Sequence, residues 1–74
     1  MFFKFLVVVT EYGIQYEETF INTDRIRSIG NAKLIDSVDV SIVKLDQNQH
    51  FYVLGKASQI VNELNKLLGR ETSF

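Results

Sequence analysis

Phe2-Phe3-Lys4-Phe5-Leu6-Val7-Val8-Val9 is the stretch that decides how this chain folds. Its aromatic and β-branched residues suit a pleated strand. Successive side chains of a strand project to opposite sides. Phe3, Phe5, Val7 and Val9 therefore share one side, and Phe2, Leu6 and Val8 share the other. The remaining sequence offers a single long amphipathic helix, at its C-terminal end, and one helix shields one face of a small sheet. The second apolar face is left to meet another subunit, another protein or water. The first strand thus points to association, with Phe2, Phe3, Phe5, Leu6 and Val8 as the candidate interface.

Size strengthens this expectation. A chain of 74 residues is one domain, read as residues 1–69 with 70–74 as a loose tail. A domain this small buries only roughly 60% of its unfolded surface, and such chains commonly add disulfides, a metal or oligomerisation. Cysteine is absent, which excludes disulfides and thiolate metal sites. The lone histidine, His50, cannot build a His-rich metal site. Oligomerisation remains, most simply as a two-fold dimer. The formal net charge of −1 is unlike that of a nucleic-acid binder, whose cations must replace condensed counterions. Phe5 to Val9 is too short for a signal-peptide core and Glu11 follows it, so the protein reads as cytosolic. No segment approaches the roughly 20 apolar residues of a membrane span, and no membrane partner is expected.

Outward from the first strand, Tyr12-Gly13 is a turn signal and Ile14 to Ile21 a second strand, paired with the first as a hairpin. Its period of two sets Ile14, Tyr16 and Phe20 on an apolar side, broken by Glu18, and Gln15, Glu17 and Thr19 on the other. Asn22-Thr23-Asp24 favours a turn or helix start. Residues 25–29 then read either as one short helical turn or as a third strand anchored by Ile26 and Ile29. Gly30-Asn31 marks a turn or bulge. Val38 to Leu45 is a strand, with Val38, Val40 and Ile42 on one side and Asp39, Ser41 and Val43 on the other. Asp46-Gln47-Asn48-Gln49 is a polar loop, and His50 to Leu54 returns as the partner strand. Ala57, Ile60, Val61, Leu64, Leu67 and Leu68 recur at spacings of three and four, the stripe of an amphipathic helix. Ser58, or a residue nearer Gly55, is the N-cap, and Gly69 stands where a left-handed C-cap belongs. The fold class predicted is α+β: an antiparallel, meander-like sheet of four or five strands with one C-terminal helix on one face. Ile60, Val61, Leu64, Leu67 and Leu68 are expected to meet Val7, Val40 or residues on the Ile42 side.

Phe20-Ile21-Asn22-Thr23-Asp24-Arg25-Ile26-Arg27-Ser28-Ile29 resembles a segment of the small flagellar FlbD family: strand, Asn-x-x, then hydrophobic-x-x-Ile. Ile42-Val43-Lys44-Leu45-Asp46, with Tyr52-Val53 and the helix 57–68, is similar to that family's C-terminal half. The likeness covers about half of the chain. The sequence departs from the family at Asp46-Gln47-Asn48-Gln49, where the family has Asn-Gly, and its centre is longer. The resemblance implies an architecture of two hairpins and a helix, and no functional residue is transferred.

Candidate chemistry is sparse. His50 with Asp46 is the one acid–base pairing on offer, and without a nucleophile it reads as a strand-end His on a solvated face. Arg25, Arg27 and Lys33 form the basic cluster. Extended backbone would set Arg25 and Arg27 on one face to grip a phosphate or carboxylate, while Asp24 and Asp36 would neutralise them as ordinary surface charge. Glu17 and Glu18 point to opposite faces, as do Asp36 and Asp39 by their odd interval, so neither pair converges on a cation. Gly55-Lys56-Ala57-Ser58 is not a phosphate loop, because His50 stands where its first Gly belongs and Ala57 where Ser or Thr belongs. No cofactor and no metal is expected. The function expected is that of a non-enzymatic interaction or regulatory module, a bacterial or phage accessory protein that self-associates and binds a macromolecular partner. The alternative is an oligomer that sequesters a small anionic ligand or nucleotide, with Arg25, Arg27 and Lys33 gripping the anion and Tyr12, Tyr16 or Tyr52 stacking on a base.

Overall fold

The structure, a computed structural model, describes residues 1–9, 15–32 and 38–69. Its elements are β1 (Phe2–Val9), β2 (Gln15–Asn22), a 3-10 turn (Thr23–Arg25), β3 (Ile26–Asn31), β4 (Val40–Leu45), β5 (His50–Leu54) and α1 (Ala57–Leu68). The five strands form one antiparallel sheet in the order β2-β1-β5-β4-β3. With α1 against one face, this is the small α+β fold that the sequence predicts. β1 pairs with β2 along its whole length and with β5 on its other side. It is an interior strand, which accounts for its apolar run.

The register decides which residues are enclosed. Phe3 lies opposite Ile21 and Phe5 opposite Thr19; Val7 lies opposite Val53, Ser41 opposite Val53, and Val43 opposite Phe51 and Ile29. These residues face α1, which contributes Ala57, Ile60 and Leu64 to the core, with Phe3, Val7, Phe51 and Val61 packed around it. The pairing corrects the reading of the second strand. Ile21 is buried, whereas Tyr16 and Phe20, assigned by alternation to the apolar side, are turned outward. The strand has hydrophobic residues on both sides, and the enclosed side is the one that matches Phe3 and Phe5 across the hairpin. The helix contacts need a similar correction. Val7 borders the core, but α1 packs over the Val43 side of β4 and not the Ile42 side, and Val40 is buried outside the main cluster. Leu67 remains exposed.

Of the two readings of residues 25–29 the strand holds, as β3, and the helical turn falls earlier, at the Asn22-Thr23-Asp24 break, with Asn22 Oδ1 accepting from the Asp24 amide at 3.1 Å. Ile26 and Ile29 are both buried although their spacing is odd. Simple alternation would send them to opposite faces. A bulge between Ile26 and Ser28 inserts Arg27 as the extra residue and returns both isoleucines to the core side. The irregularity lies there and not at Gly30-Asn31, which continue the strand.

At the helix start, Lys56 is the N-cap and caps nothing with its side chain. Asn31 Oδ1 instead accepts from the Ala57 amide at 3.2 Å, so β3 supplies the cap from across the fold. Gly69 ends α1 at φ 66°, in the left-handed conformation expected of it. Between β5 and α1, Gly55 adopts φ 120° and donates its amide to the Asp39 carbonyl at 2.9 Å. Its own carbonyl accepts from the fully buried Ser41 hydroxyl at 2.6 Å. The predicted tail, 70–74, lies outside the described residues.

Candidate binding surface

The face of the sheet opposite α1 is carried by the other set of side chains. Leu6 lies opposite Glu18, and Val8 opposite Tyr16. The Val7–Val53 pairing sets Leu6 beside Leu54 and Val8 beside Tyr52. Leu54 lies opposite Val40 and Tyr52 opposite Ile42, and Ile42 lies opposite Gly30. Two adjoining rows result: Tyr16-Val8-Tyr52-Ile42-Gly30 crosses the sheet from one edge to the other, and Glu18-Leu6-Leu54-Val40 runs from β2 as far as β4, ending on the buried Val40. Glu18 is the one charged residue in them. Phe20 and Lys4 flank the rows at one end; His50, Lys44 and Ser28 flank them at the other. Gly30 bears no side chain beside Ile42, and an added Cβ would stand 3.9 Å from Ile42 Cγ2.

Aromatic side chains on this face stand well clear of the chain: Phe2, opposite Asn22 beyond the Lys4–Phe20 pair, is 64% exposed, Phe20 65%, Tyr16 43% and Tyr52 45%. At about 200 Å² per aromatic side chain, they leave roughly 430 Å² of aromatic surface open. A typical monomer's largest apolar patch spans roughly 300–600 Å² and is often functional. The charges nearby are muted. Lys4 Nζ lies 3.8 Å from Glu18 Oε1 on the same face, and His50 meets the Tyr52 ring edge-on at 5.6 Å.

Of the five residues predicted as an interface, Phe2, Leu6 and Val8 belong to this face, while Phe3 and Phe5 turn toward α1. Sequence reasoning missed Tyr16, Phe20, Ile42, Tyr52 and Leu54 as members of the surface. Their alternation was visible; the sheet order that joins them was not.

Arg25 and Arg27 of the predicted basic cluster stand in different settings. Arg25 donates from Nε to Asp46 Oδ1 at 3.0 Å and from Nη2 to Gln49 Oε1, clamping the end of the 3-10 turn to the β4–β5 turn. Arg27 sits exposed at the bulge, and Lys33 lies outside the described residues. Tyr12 and Asp36 are outside them too. Asp46 is thus engaged by Arg25, and His50 lies edge-on to Tyr52. A recess of about 230 Å³ lined by Lys44, Leu45, Asn48, Gln49 and His50 adjoins that turn. It is smaller than the roughly 300–1,000 Å³ of ordinary ligand pockets. Among the described residues no three His, Asp or Glu side chains gather to hold a metal, and no helix is long and apolar enough to cross a membrane.

Comparison with protein-family models, curated proteins and solved structures finds no match to this chain.

Proposed function

We propose that this chain is a non-enzymatic interaction module, a small accessory or regulatory protein whose working surface is the open face of its sheet. The observation that carries the reading is the two-row apolar band on the side away from α1, whose side chains span β2, β1, β5 and β4. Exposed aromatic residues in a band with few charges are the composition of interface cores, where Tyr and Phe are enriched and Lys and Glu depleted. Arg25, the centre of any anion site, is already held by Asp46 and Gln49, which favours the protein-binding reading over the nucleotide-binding one.

The test is photo-crosslinking in cells that make the chain. A benzophenone side chain replaces Tyr52 on the open face or, as a control, the exposed Gln59 on the outer surface of α1. Position 52 is expected to give one discrete protein adduct and position 59 none. Equal labelling from both positions, or none from 52, overturns the assignment.

A further inference from the structure

We infer that the occupant of the open face is a second copy of this chain, packed face to face about a two-fold axis so that two sheets form a sandwich with the helices outside. The inference rests on the binding-face reading above and names its partner.

Area is the first argument. The four exposed aromatics alone supply roughly 860 Å² when two copies meet. The half-buried Leu6, Val8, Ile42 and Leu54 lie in the two rows with Tyr16 and Tyr52 and bring the contact to the scale of roughly 1,000 Å² that a stable interface needs.

Charge is the second. An isologous contact sets a surface against itself, so an uncompensated charge in the middle would meet its own kind. Here the central rows hold a single charge, Glu18, already beside Lys4 of the same chain. Lys44 and His50 lie at one end of the band and Lys4 at the other, where a rim remains in water. That is the apolar-centre, polar-rim arrangement of stable interfaces.

Shape is the third. Two sheets of identical twist pack with strand directions about 30° apart and about 10 Å between them. The strands run five to eight residues, and nothing on β3 stands beside Ile42, because residue 30 is glycine. Tyr52, central in the band and half exposed, is placed to act as the anchor. Tyrosines at the centre of a desolvated patch commonly dominate the binding energy.

The experiment is sedimentation equilibrium of the purified full chain up to roughly 100 µM, a range that captures micromolar dissociation constants. A mass twice the 8.5 kDa of one chain is expected. Tyr52→Lys and Phe20→Lys should each raise the dissociation constant at least tenfold with the far-ultraviolet dichroism retained, and Gln59→Lys should leave it unchanged. Should Tyr52→Lys misfold, Phe20→Lys decides, since Phe20 is 65% exposed in the single chain. Isotope-filtered cross-peaks between the Val8 and Ile42 methyls of different copies would confirm the contact directly. A monomer at the highest concentration overturns the inference, as does a dimer that both lysine variants leave intact, which would move the contact to a sheet edge. A monomer that still gives a position-52 adduct with a different protein overturns the dimer alone and leaves the binding face standing. A monomer with no such adduct overturns both.

Discussion

Leu64 and Leu67 provide an internal comparison for the helix placement. They stand one turn apart on α1, are the same residue type, and differ in burial: Leu64 is 0% exposed and Leu67 44%. Truncating either to Ala changes helix propensity alike, slightly in favour of Ala. The difference between the two variants therefore isolates packing. Leu→Ala at a fully enclosed site costs the transfer free energy of the lost atoms plus a cavity term, about 2.7–5.0 kcal/mol. A thin two-layer core can partly collapse around the gap, which places Leu64→Ala near the lower end, at about 3 kcal/mol. Leu67→Ala gives up a fraction of the transfer term and leaves no closed cavity, so it should cost less than about 1 kcal/mol. Whole-domain stability at this size is about 4–11 kcal/mol, so the first variant removes a large share. At about 4–8 °C per kcal/mol for a small domain, the melting temperature should fall by roughly 15 °C for Leu64→Ala and by a few degrees for Leu67→Ala. Urea unfolding at one fixed protein concentration reads both, the concentration being held because association shifts apparent stability. The midpoint should move with the slope unchanged. Leu64→Asp should leave the chain unfolded, since the carboxylate would have no partner in the core. If Leu64→Ala costs no more than Leu67→Ala, α1 does not lie as described.

Three further experiments probe the turns. Gln47 and Asn48 both have positive φ, 59° and 60°, a conformation costing a side-chain-bearing residue about 1–2 kcal/mol. Gln47→Gly should raise stability by about 0.5–1 kcal/mol net of the entropy that Gly adds to the unfolded chain, seen as a higher urea midpoint. Gly55→Ala should destabilise by about 1–3 kcal/mol, through φ 120° alone, because an added Cβ would rest at an ordinary 3.7 Å from Ile60; thermal unfolding checks this, and an unchanged melting temperature would refute it. A double-mutant cycle on Arg25→Ala and Asp46→Ala should give a coupling below about 1 kcal/mol, shrinking in high salt, because both partners are partly exposed.

Much of the architecture is legible in the residue pattern. The dense apolar run of β1, the alternation of β4 and β5, and the stripe of α1 with its glycine stop each encode a local element, and local elements follow from residues a few positions apart. What was not legible depends on long-range pairing. β2 carries Tyr16 and Phe20 on one side and Ile21 on the other, and only its register against Phe3 and Phe5 decides which side is enclosed. The irregularity read at Gly30-Asn31 lies instead at Arg27, where the odd spacing of Ile26 and Ile29 requires it. Asn31 capping α1 from β3 joins residues 26 positions apart, beyond the reach of any sequence window. The candidate surface was half visible for the same reason: β1 announced a second apolar face, while Tyr16, Tyr52 and Ile42 joined it only when the sheet order placed them in one row.

The interior position of β1 has a kinetic consequence. The β1–β2 and β4–β5 hairpins close locally, on a timescale of about 1–10 µs. Val7 finds Val53 only across the 46 positions from 7 to 53, and long-range closures of this kind slow folding. Until that step, the first hairpin exposes apolar side chains on both faces and an unpaired edge on β1, which invites pairing between chains. Lys4 is the one charged residue in that strand. Its exposed ion pair with Glu18 adds little to the finished fold, but a lone cation within a hydrophobic strand acts as a gatekeeper against aggregation. Lys4→Val should therefore lower the yield of soluble protein on refolding, increasingly so at high concentration, while leaving the urea midpoint of the molecules that do fold nearly where it was.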